Sequence, residues 1–254
     1  MIDSHCHLDD PRIQTQRKAI VERAKNAGVK GFLIAGVDPE RPGKEVAEEI
    51  PNCRFAVGFH PWMTGGAKSE EIEINLQMLS KNLEGASALG EIGLDFKRYG
   101  KETFDQQIKA FRGALAIARE AKKPVILHVV AAHSEILEIL KRDHLPKEGG
   151  VLHSCSASAE QCELYLKLGL YISFCGALTN PRAKKIQKAF LSVPAERLLF
   201  ETDSPDQFFG GRGFPNEPAF LGEILTFGAS LRGLPFSDLD AISERNYQNL
   251  FSIP

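Results

Sequence analysis

The residues with the clearest chemical potential are His5 and His7, which lie in a short run beginning at Ile2. We predict that this run is a β-strand. Side chains two residues apart on a strand project from the same face, so both imidazoles could reach one metal ion. The pair alone is not specific, because histidines at strand ends are often simply hydrogen-bonded. Whether the pair could bind metal depends on which side chains the other strands place near it.

Residues with metal-binding side chains also end four other predicted strands, and they are Glu91, His128, His153 and Asp203. In a barrel of parallel strands, all carboxyl ends open at one mouth, where the active site is built. The side chains would therefore converge there. Imidazole nitrogens and carboxylate oxygens suit Zn2+, Mn2+ or Mg2+, whereas a site for softer ions would need thiolates. The spacing predicts a centre for divalent metal ions.

Eight short apolar or β-branched runs can carry these residues, and helical patterns separate them. The runs are Ile2–His7, Gly31–Val37, Arg54–Phe59, Ala86–Leu94, Pro124–Val130, Gly150–His153, Leu170–Phe174 and Leu198–Thr202. No linker or change of composition divides the units. They predict a single domain over residues 1–254, with the (β/α)8 TIM barrel of the α/β class.

Helical periodicity is clearest between the fourth and fifth runs, where an apolar stripe extends over Phe104–Ala118. A similar stripe covers Phe220–Leu231. The pattern Ser237-x-x-Asp240 resembles a capping box, which predicts that a final helix opens there and continues to Leu250. These helices would form the outer layer of the barrel.

The composition, with 43% hydrophobic and 25% charged residues, is ordinary for a globular enzyme. A net charge of −2 provides no general basic surface, so any polyanion must be bound locally. The five cysteines contain no C-x-x-C pair, so neither a disulfide framework nor a zinc knuckle is predicted. We find no signal-peptide pattern and no apolar run long enough for a membrane helix. We expect a cytoplasmic enzyme, and the sequence indicates no obligate protein partner.

Five segments taken together resemble one known family. They are Ile2–Leu8 (IDSHCHL), Gly58–Pro61 (GFHP), Gly90–Asp95 (GEIGLD), His153–Ser156 (HSCS) and Glu201–Pro205 (ETDSP). In this order they are similar to the TatD-type metal-dependent deoxyribonucleases of the amidohydrolase superfamily. The resemblance continues through Arg212–Pro218 to Asn246-x-x-x-Leu250-Phe251, and so spans essentially the whole chain.

The resemblance implies two divalent metal ions. One would be held by His5, His7, Glu91 and Asp203, and the other by Glu91, His128 and His153, with Glu91 as the bridge. Two neighbouring ions can activate a water molecule and stabilise a phosphate undergoing in-line displacement. Glu91 and Asp203 would be the catalytic residues, because the Asp203 carboxylate can also accept the proton of the attacking water.

Substrate contacts are expected from His60 and from Arg212, Asn216 and Glu217. The last three belong to the irregular stretch that follows the eighth strand, which should form part of the pocket's rim. A guanidinium there could make two hydrogen bonds to a phosphate. The alternatives are a structural role for His60 and a loop-stabilising salt bridge for the loop residues.

Other polar residues receive weaker interpretations. Asp3 and Glu201 each lie two residues before a predicted ligand on the same strand face. They would either orient the ligands or be buried polar groups satisfied by backbone or water. His133 and His144 fall on or after a predicted helix, and we expect both to face solvent.

The chain departs from the family pattern at Val130, where an arginine is usual, and at Asp206, where an aromatic residue is usual. These changes spare the metal ligands and alter the pocket, so they bear on the substrate. The expected reaction is phosphodiester hydrolysis in DNA from a strand end, because a barrel mouth admits a frayed terminus more easily than a duplex. The alternative is an ester, amide or D-aminoacyl-tRNA linkage cleaved with the same metals. A metal-binding scaffold without turnover would predict an eroded ligand, and none is eroded.

Overall fold

Eight parallel strands form the inner layer of the computed structural model, which describes residues 1–41, 43–207 and 213–251. They are β1 (Ile2–Cys6), β2 (Gly31–Ile34), β3 (Cys53–Val57), β4 (Ala88–Asp95), β5 (Val125–Val130), β6 (Gly150–Leu152), β7 (Tyr171–Phe174) and β8 (Leu198–Phe200). Each strand pairs with the next along the chain. The eight predicted runs are confirmed, although every observed strand is shorter than its run.

Helices cover the outside of this sheet. In the described residues they are α1 (Arg17–Asn26), α2 (Lys44–Glu49), α3 (Pro61–Thr64), α4 (Ser69–Lys81), α5 (Phe104–Ala121), α6 (His133–Asp143), α7 (Ala159–Lys167), α8 (Lys184–Ser192), α9 (Leu221–Arg232) and α10 (Phe236–Phe251). The alternation of strand and helix around one sheet is the predicted (β/α)8 TIM barrel. No described helix combines the length and apolar character that a membrane crossing requires.

The interior of the barrel is apolar on the amino-terminal side of the predicted ligands. Six strands each contribute one side chain to a buried cluster with three residues of α10, the members being Leu33, Ala56, Ala88, Ile126, Val151, Leu199, Tyr247, Leu250 and Phe251. Ala88 precedes Glu91 on β4, and Ile126 precedes His128 on β5. Because this end is filled, the polar side chains of the same strands face the opposite, open end.

The first and last strands meet at a seam of a few hydrogen bonds. The Asp203 amide donates to the His5 carbonyl at 3.0 Å, and the His7 amide donates to the Ser204 carbonyl at 2.7 Å. These bonds lie at residues predicted to bind metal. The closure of the barrel and the assembly of the site therefore depend on the same short segments.

Asp3 lies beside this seam and stabilises the segment that follows β8. Its carboxylate accepts hydrogen bonds from the Thr202 backbone amide at 3.0 Å and from the Thr202 hydroxyl at 2.6 Å. Burial raises the pKa of Asp3 to about 7, although the bonds from Thr202 act in the opposite direction. Asp3 is thus a buried polar group satisfied locally, which was one of the two interpretations of its position.

The predicted start of the last helix is wrong. The helix α10 begins at Phe236, so Ser237 lies inside its first turn. The carbonyl of Pro235 accepts the Asp238 amide at 3.2 Å. Proline, with its fixed φ, is suited to helix starts, so the chain needs no capping box here. Asp240 lies 3.4 Å from the amino-terminal nitrogen instead.

The expectation that His133 faces solvent is also wrong. Its side chain is buried at the first turn of α6, with Nδ1 3.0 Å from the Tyr165 hydroxyl and Nε2 3.4 Å from the Ser156 hydroxyl. Burial lowers the pKa of His133 to about 4, and the charge of Lys185 adds to the effect. His144, which follows α6, is exposed as expected.

Candidate metal centre

The side chains predicted to bind metal come together at the carboxyl end of the barrel. Their positions are His5 in β1, His7 just after it, Glu91 in β4, His128 in β5, His153 directly after β6, and Asp203 shortly after β8. All are buried except His7, which is partly exposed. Their nitrogen and oxygen atoms form groups compact enough to hold metal ions.

Glu91 divides this cluster in two. Its Oε1 atom lies 3.5 Å from His5 Nε2 and 3.4 Å from His7 Nε2. Its Oε2 atom lies 3.2 Å from His128 Nδ1 and 2.8 Å from His153 Nε2. Each carboxylate oxygen therefore faces its own pair of imidazoles. This is the arrangement that a carboxylate bridging two ions requires.

Asp203 completes the first of these groups. Its Oδ1 atom lies 3.4 Å from His5 Nε2 and 3.3 Å from His7 Nε2. Ligand atoms around a tetrahedral ion with bonds of roughly 2.0–2.2 Å lie about 3.3–3.6 Å apart, so these separations fit a metal ion. His5 Nε2 is buried without a hydrogen-bond partner in the described structure. A metal ion would satisfy it.

The other nitrogen of three imidazoles faces an acceptor. His7 Nδ1 lies 3.1 Å from the Ala35 carbonyl, His128 Nε2 lies 3.5 Å from Asp95 Oδ2, and His153 Nδ1 lies 3.4 Å from Glu201 Oε1. In a metal-bound centre, an acceptor behind each ring would hold the proton there and leave the inner nitrogen to the metal ion. Asp95 and Glu201 lie at the positions of such acceptors, but His128 Nε2 and His153 Nδ1 form no hydrogen bond in the described structure. The orienting role of Glu201 therefore stays a prediction.

His60 has the opposite arrangement. Its Nδ1 accepts the Trp62 backbone amide at 3.1 Å, so that nitrogen carries the lone pair. Burial lowers the pKa of His60 to about 3, which keeps the ring neutral and places its proton on Nε2. Nε2 lies 3.7 Å from Glu91 Oε2. Distance alone would group His60 with Glu91 and His128 as ligands, but the proton makes it a hydrogen-bond donor.

The carboxylates and imidazoles of the cluster stabilise each other's charged forms. Burial would raise the pKa of Glu91, but the imidazoles of His153, His5 and His60 hold it well below its usual range. Burial would likewise lower the pKa of His7, but the hydrogen bond with Asp203 and the charge of Glu91 raise it to about 10. The carboxylates stay ionised and attract positive charge. Metal ions would compete with protons for these nitrogens.

Two glycines allow the strands to approach closely enough to form the centre. A Cβ atom on Gly58 would lie 2.0 Å from the Gly36 carbonyl oxygen and 2.3 Å from the Glu91 nitrogen. Gly93 has φ +148°, and a Cβ atom there would lie 1.9 Å from the His128 carbonyl oxygen. Both positions require glycine, which explains its presence in the GFHP and GEIGLD segments.

A cavity of about 320 Å³ opens above the cluster. Arginines in its wall are already paired: Arg12 binds Asp10 at 2.6 Å and Asp206 at 2.5 Å, and Arg41 binds Asp38 at 3.1 Å. Asp206, which replaces the family's usual aromatic residue, therefore links the loops after β8 and β1. With these arginines paired, positive charge for a substrate would have to come mainly from metal ions bound at the centre.

The structure brings His60 into the cavity wall but not the other described residues predicted to contact substrate. Asn216 is buried, and its Nδ2 donates to the Thr202 carbonyl at 2.8 Å. Glu217 accepts from Arg23 of α1, with both N–O distances at 2.8 Å. These contacts favour the loop-stabilising alternative for both residues. Arg212 lies outside the described residues.

Asp95 is a candidate functional residue that the sequence interpretation does not assign. It accepts a hydrogen bond from Trp62 Nε1 at 2.6 Å and lies behind the His128 ring. These contacts, with the backbone amides of Lys97 and Arg98, hold its pKa below the usual range although burial acts to raise it. The sequence does contain a signal for Asp95. Side chains at even spacing on a strand share one face, and Asp95 is four residues beyond Glu91, so it should point towards the same site.

Comparisons with known sequences agree with this geometry. The sequence model of the family described as TatD related DNase matches residues 2–252. The uncharacterized metal-dependent hydrolase YabD of Bacillus subtilis is 32% identical over 261 residues, which cover 100% of this chain and 99% of that protein. The 3'-5' ssDNA/RNA exonuclease TatD of Klebsiella pneumoniae is 33% identical, over 100% of this chain and 98% of its own.

Solved structures give the same result. The TatD homolog YJJV from Escherichia coli superimposes with a TM-score of 0.90 at 32% identity, covering 100% of this chain and 98% of that one. The phosphotriesterase homology protein from Escherichia coli superimposes with a TM-score of 0.70 at 15% identity, covering 99% and 98%. The second likeness concerns the fold alone.

Proposed function

Because the chain belongs to the family of TatD-related DNases, we propose that it hydrolyses phosphodiester bonds in DNA with two divalent metal ions. The observation that carries the proposal is the division of the cluster by the two oxygens of Glu91. A single-ion site would not need two sets of imidazoles on opposite oxygens of one carboxylate. Two-metal sites are typical of enzymes that displace groups at phosphorus.

The ligand assignment follows the same division. One ion would be held by His5, His7, Glu91 and Asp203, and the other by Glu91, His128 and His153. The His5 and His153 rings stack with centroids 4.1 Å apart, which keeps the two groups adjacent. Nitrogen and oxygen donors accept Zn2+, Mn2+ or Mg2+.

The bound ions would supply an activated water molecule and stabilise the charge of the phosphate. Asp203 can accept the proton of that water. Although burial acts to raise it, the pKa of Asp203 is held below its usual range, chiefly by the hydrogen bond with His7 and the nearby imidazoles, so the carboxylate stays ionised and is available as a ligand. His60 would donate its Nε2 proton to a phosphate oxygen, where negative charge grows during the reaction.

We propose that the substrate is the end of a single strand. The cavity is a narrow opening above the centre, with a volume in the range of small-molecule sites. Its paired arginines leave little charge to hold a long polyanion. Relatives in the same family are named 3'-5' ssDNA/RNA exonucleases, which supports this assignment.

The same acidic wall favours a second candidate. Asp10, Asp38 and Asp206 line the cavity, and such a wall is compatible with an uncharged ester or amide group, including the ester of a D-aminoacyl-tRNA linkage. Metal-activated water can attack either class. The two candidates share the metal centre and differ in what the wall must bind.

A parallel assay distinguishes them. Protein reconstituted with Zn2+, Mn2+ or Mg2+ is tested against end-labelled single-stranded DNA, a p-nitrophenyl phosphodiester, carboxylic esters and D-aminoacyl-tRNA, with Glu91→Gln as the inactive control. We expect the highest kcat/KM on DNA, with products released stepwise from one end. Hydrolysis of only the ester or the aminoacyl linkage would reject the nuclease and leave the metal hydrolase in place.

We further propose that residues 1–254 act as one domain and that the enzyme works in the cytoplasm. The first proposal is supported by the seam, which joins the first and last strands of one barrel. The second is supported by the five cysteines, all of which are free, as is usual in a reducing compartment.

A further inference from the structure

Trp62 lies in the wall of the cavity beside the centre. It belongs to the short helix α3, directly after His60, and its ring centroid is 4.7 Å from that of His60 and 6.1 Å from that of His128. Trp62 is 42% exposed, so a substantial part of this large aromatic residue is accessible. Its position and exposure suggest a binding role.

The indole is held firmly despite this exposure. Nε1 donates to Asp95 at 2.6 Å, the backbone amide donates to His60, and the backbone carbonyl accepts the Tyr99 hydroxyl at 3.1 Å. A ligand that stacks on a fixed ring pays little entropy to order it. Of the three bonds, the one from Nε1 to Asp95 fixes the indole itself.

Arg98 covers part of the ring. Its guanidinium carbon lies 4.1 Å from the indole centroid, and it has no carboxylate partner among the residues that the structure describes. With Arg98 and the His60 ring both against the indole, Trp62 still keeps 42% of its surface exposed, so part of the residue stays accessible in the cavity wall. The cation above the ring also strengthens its role as a platform for stacking.

We infer that the open surface of Trp62 binds the nucleobase of the nucleotide that carries the scissile phosphate. This inference rests on the proposed phosphodiesterase function. A base lies one sugar ring from its phosphate, so a phosphate at the centre brings the base to the wall that Trp62 forms. Stacking on an aromatic ring tolerates every base, which suits an enzyme that removes successive nucleotides.

The kinetic test compares two dinucleotides with the same phosphodiester bond, one carrying bases and one abasic. Replacement of a stacking aromatic by alanine typically costs about 1–3 kcal/mol per base, or roughly 5- to 150-fold. Trp62→Ala should therefore lower kcat/KM on the base-bearing dinucleotide by about tenfold or more beyond its effect on the abasic one, because the bond to Asp95 is lost with both substrates and the stacking is lost with only one. Trp62→Phe should retain most activity. Phe236→Ala is the matched control, because Phe236 is similarly exposed, at 39%, and lies outside the cavity wall.

An equal loss on both dinucleotides would overturn the inference, because it would mean that Trp62 acts only by holding Asp95 and His128. Unchanged activity on both would overturn it as well.

A fluorescence titration separates this inference from the proposed function, since Trp62 is the only tryptophan of the chain. Thymidine monophosphate should quench its emission, whereas deoxyribose phosphate should not. Quenching without DNA cleavage would support the subsite and reject the nuclease, and the absence of selective quenching would reject the subsite.

Discussion

At the scale of single residues, the group behind the ring distinguishes His60 from three other histidines of the centre. His7, His128 and His153 face a carbonyl or carboxylate there, so we expect their inner nitrogens to bind metal. His60 faces a backbone amide, so we expect its inner nitrogen to carry a proton. The same type of side chain would thus be a ligand in three places and a donor in His60.

The first prediction tests this difference. His60→Asn should leave the metal content unchanged and lower kcat about 10²-fold, the usual cost of losing a donor to developing negative charge. His153→Ala should instead lose metal. Elemental analysis and kinetics on the same samples measure both effects. Loss of metal from His60→Asn would show that His60 is a ligand.

The second prediction concerns Glu91, whose oxygens face both groups of imidazoles. Wild-type protein under saturating metal should contain close to two ions per chain. Glu91→Gln should weaken both sites together, because the bridge is shared and its charge is lost. His5→Ala, as the comparison, should weaken mainly one site. Calorimetric titration measures each affinity, and independent losses of equal size in the two variants would contradict the bridge.

At the scale of elements, close contact between strands positions the ligands. Gly58, at the end of β3, lies against the backbone at both Gly36 and Glu91. The strands could not approach in this way around a larger residue. The metal centre therefore depends on glycines that bear no functional group.

The third prediction follows. Gly58→Ala should destabilise the protein by about 2 kcal/mol or more, because its Cβ would overlap backbone atoms that cannot move independently. Gly222→Ala is the control: it lies in α9, where a Cβ would be 3.5 Å from Met1, and alanine should stabilise the helix by up to about 1 kcal/mol. Urea denaturation measures both. Similar effects of the two substitutions would refute the argument.

The strands and the candidate ligands were accessible to sequence reasoning because their signals are local. An apolar run ending in His128 or Asp203 contains both the strand and the candidate residue. The proton position on His60 depends on the exact backbone geometry at the Trp62 amide, which the residue types do not reveal, and the pairing of Glu217 with Arg23 joins distant segments. Ser237 shows the reverse error, in which a local capping pattern was overruled by Pro235.

At the scale of the whole molecule, stability should depend on pH through His133. The pKa of His133 is about 4 in the folded protein and about 6.5 when unfolded, so the unfolded chain binds more protons between these values. The stabilisation is complete above about pH 6.5 and is lost as the pH falls towards 4. The loss is at most about 1.4 kcal/mol per pH unit.

The fourth prediction is that His133→Gln loses less stability than wild type on acidification from pH 7 to 5. Glutamine can still hydrogen-bond Tyr165 but does not titrate. His144→Gln, at an exposed position, should follow the wild-type curve. Unfolding free energies from urea titrations at several pH values give the comparison. Parallel curves for wild type and His133→Gln would exclude this contribution.

The seam between β1 and β8 has a consequence for the chain as a polymer. A metal ion held by His5, His7 and Asp203 would cross-link segments separated by most of the sequence. A cross-link between such distant points removes more freedom from the unfolded chain than a local one, and a ligand specific to the folded state adds to stability. Stripping the metal should therefore speed hydrogen exchange first at the seam amides of His7 and Asp203, while β4 and β5 stay protected. Uniform acceleration would contradict this. The metal ions of the reaction would then also act as reversible cross-links, and loss of metal would open the barrel between β1 and β8.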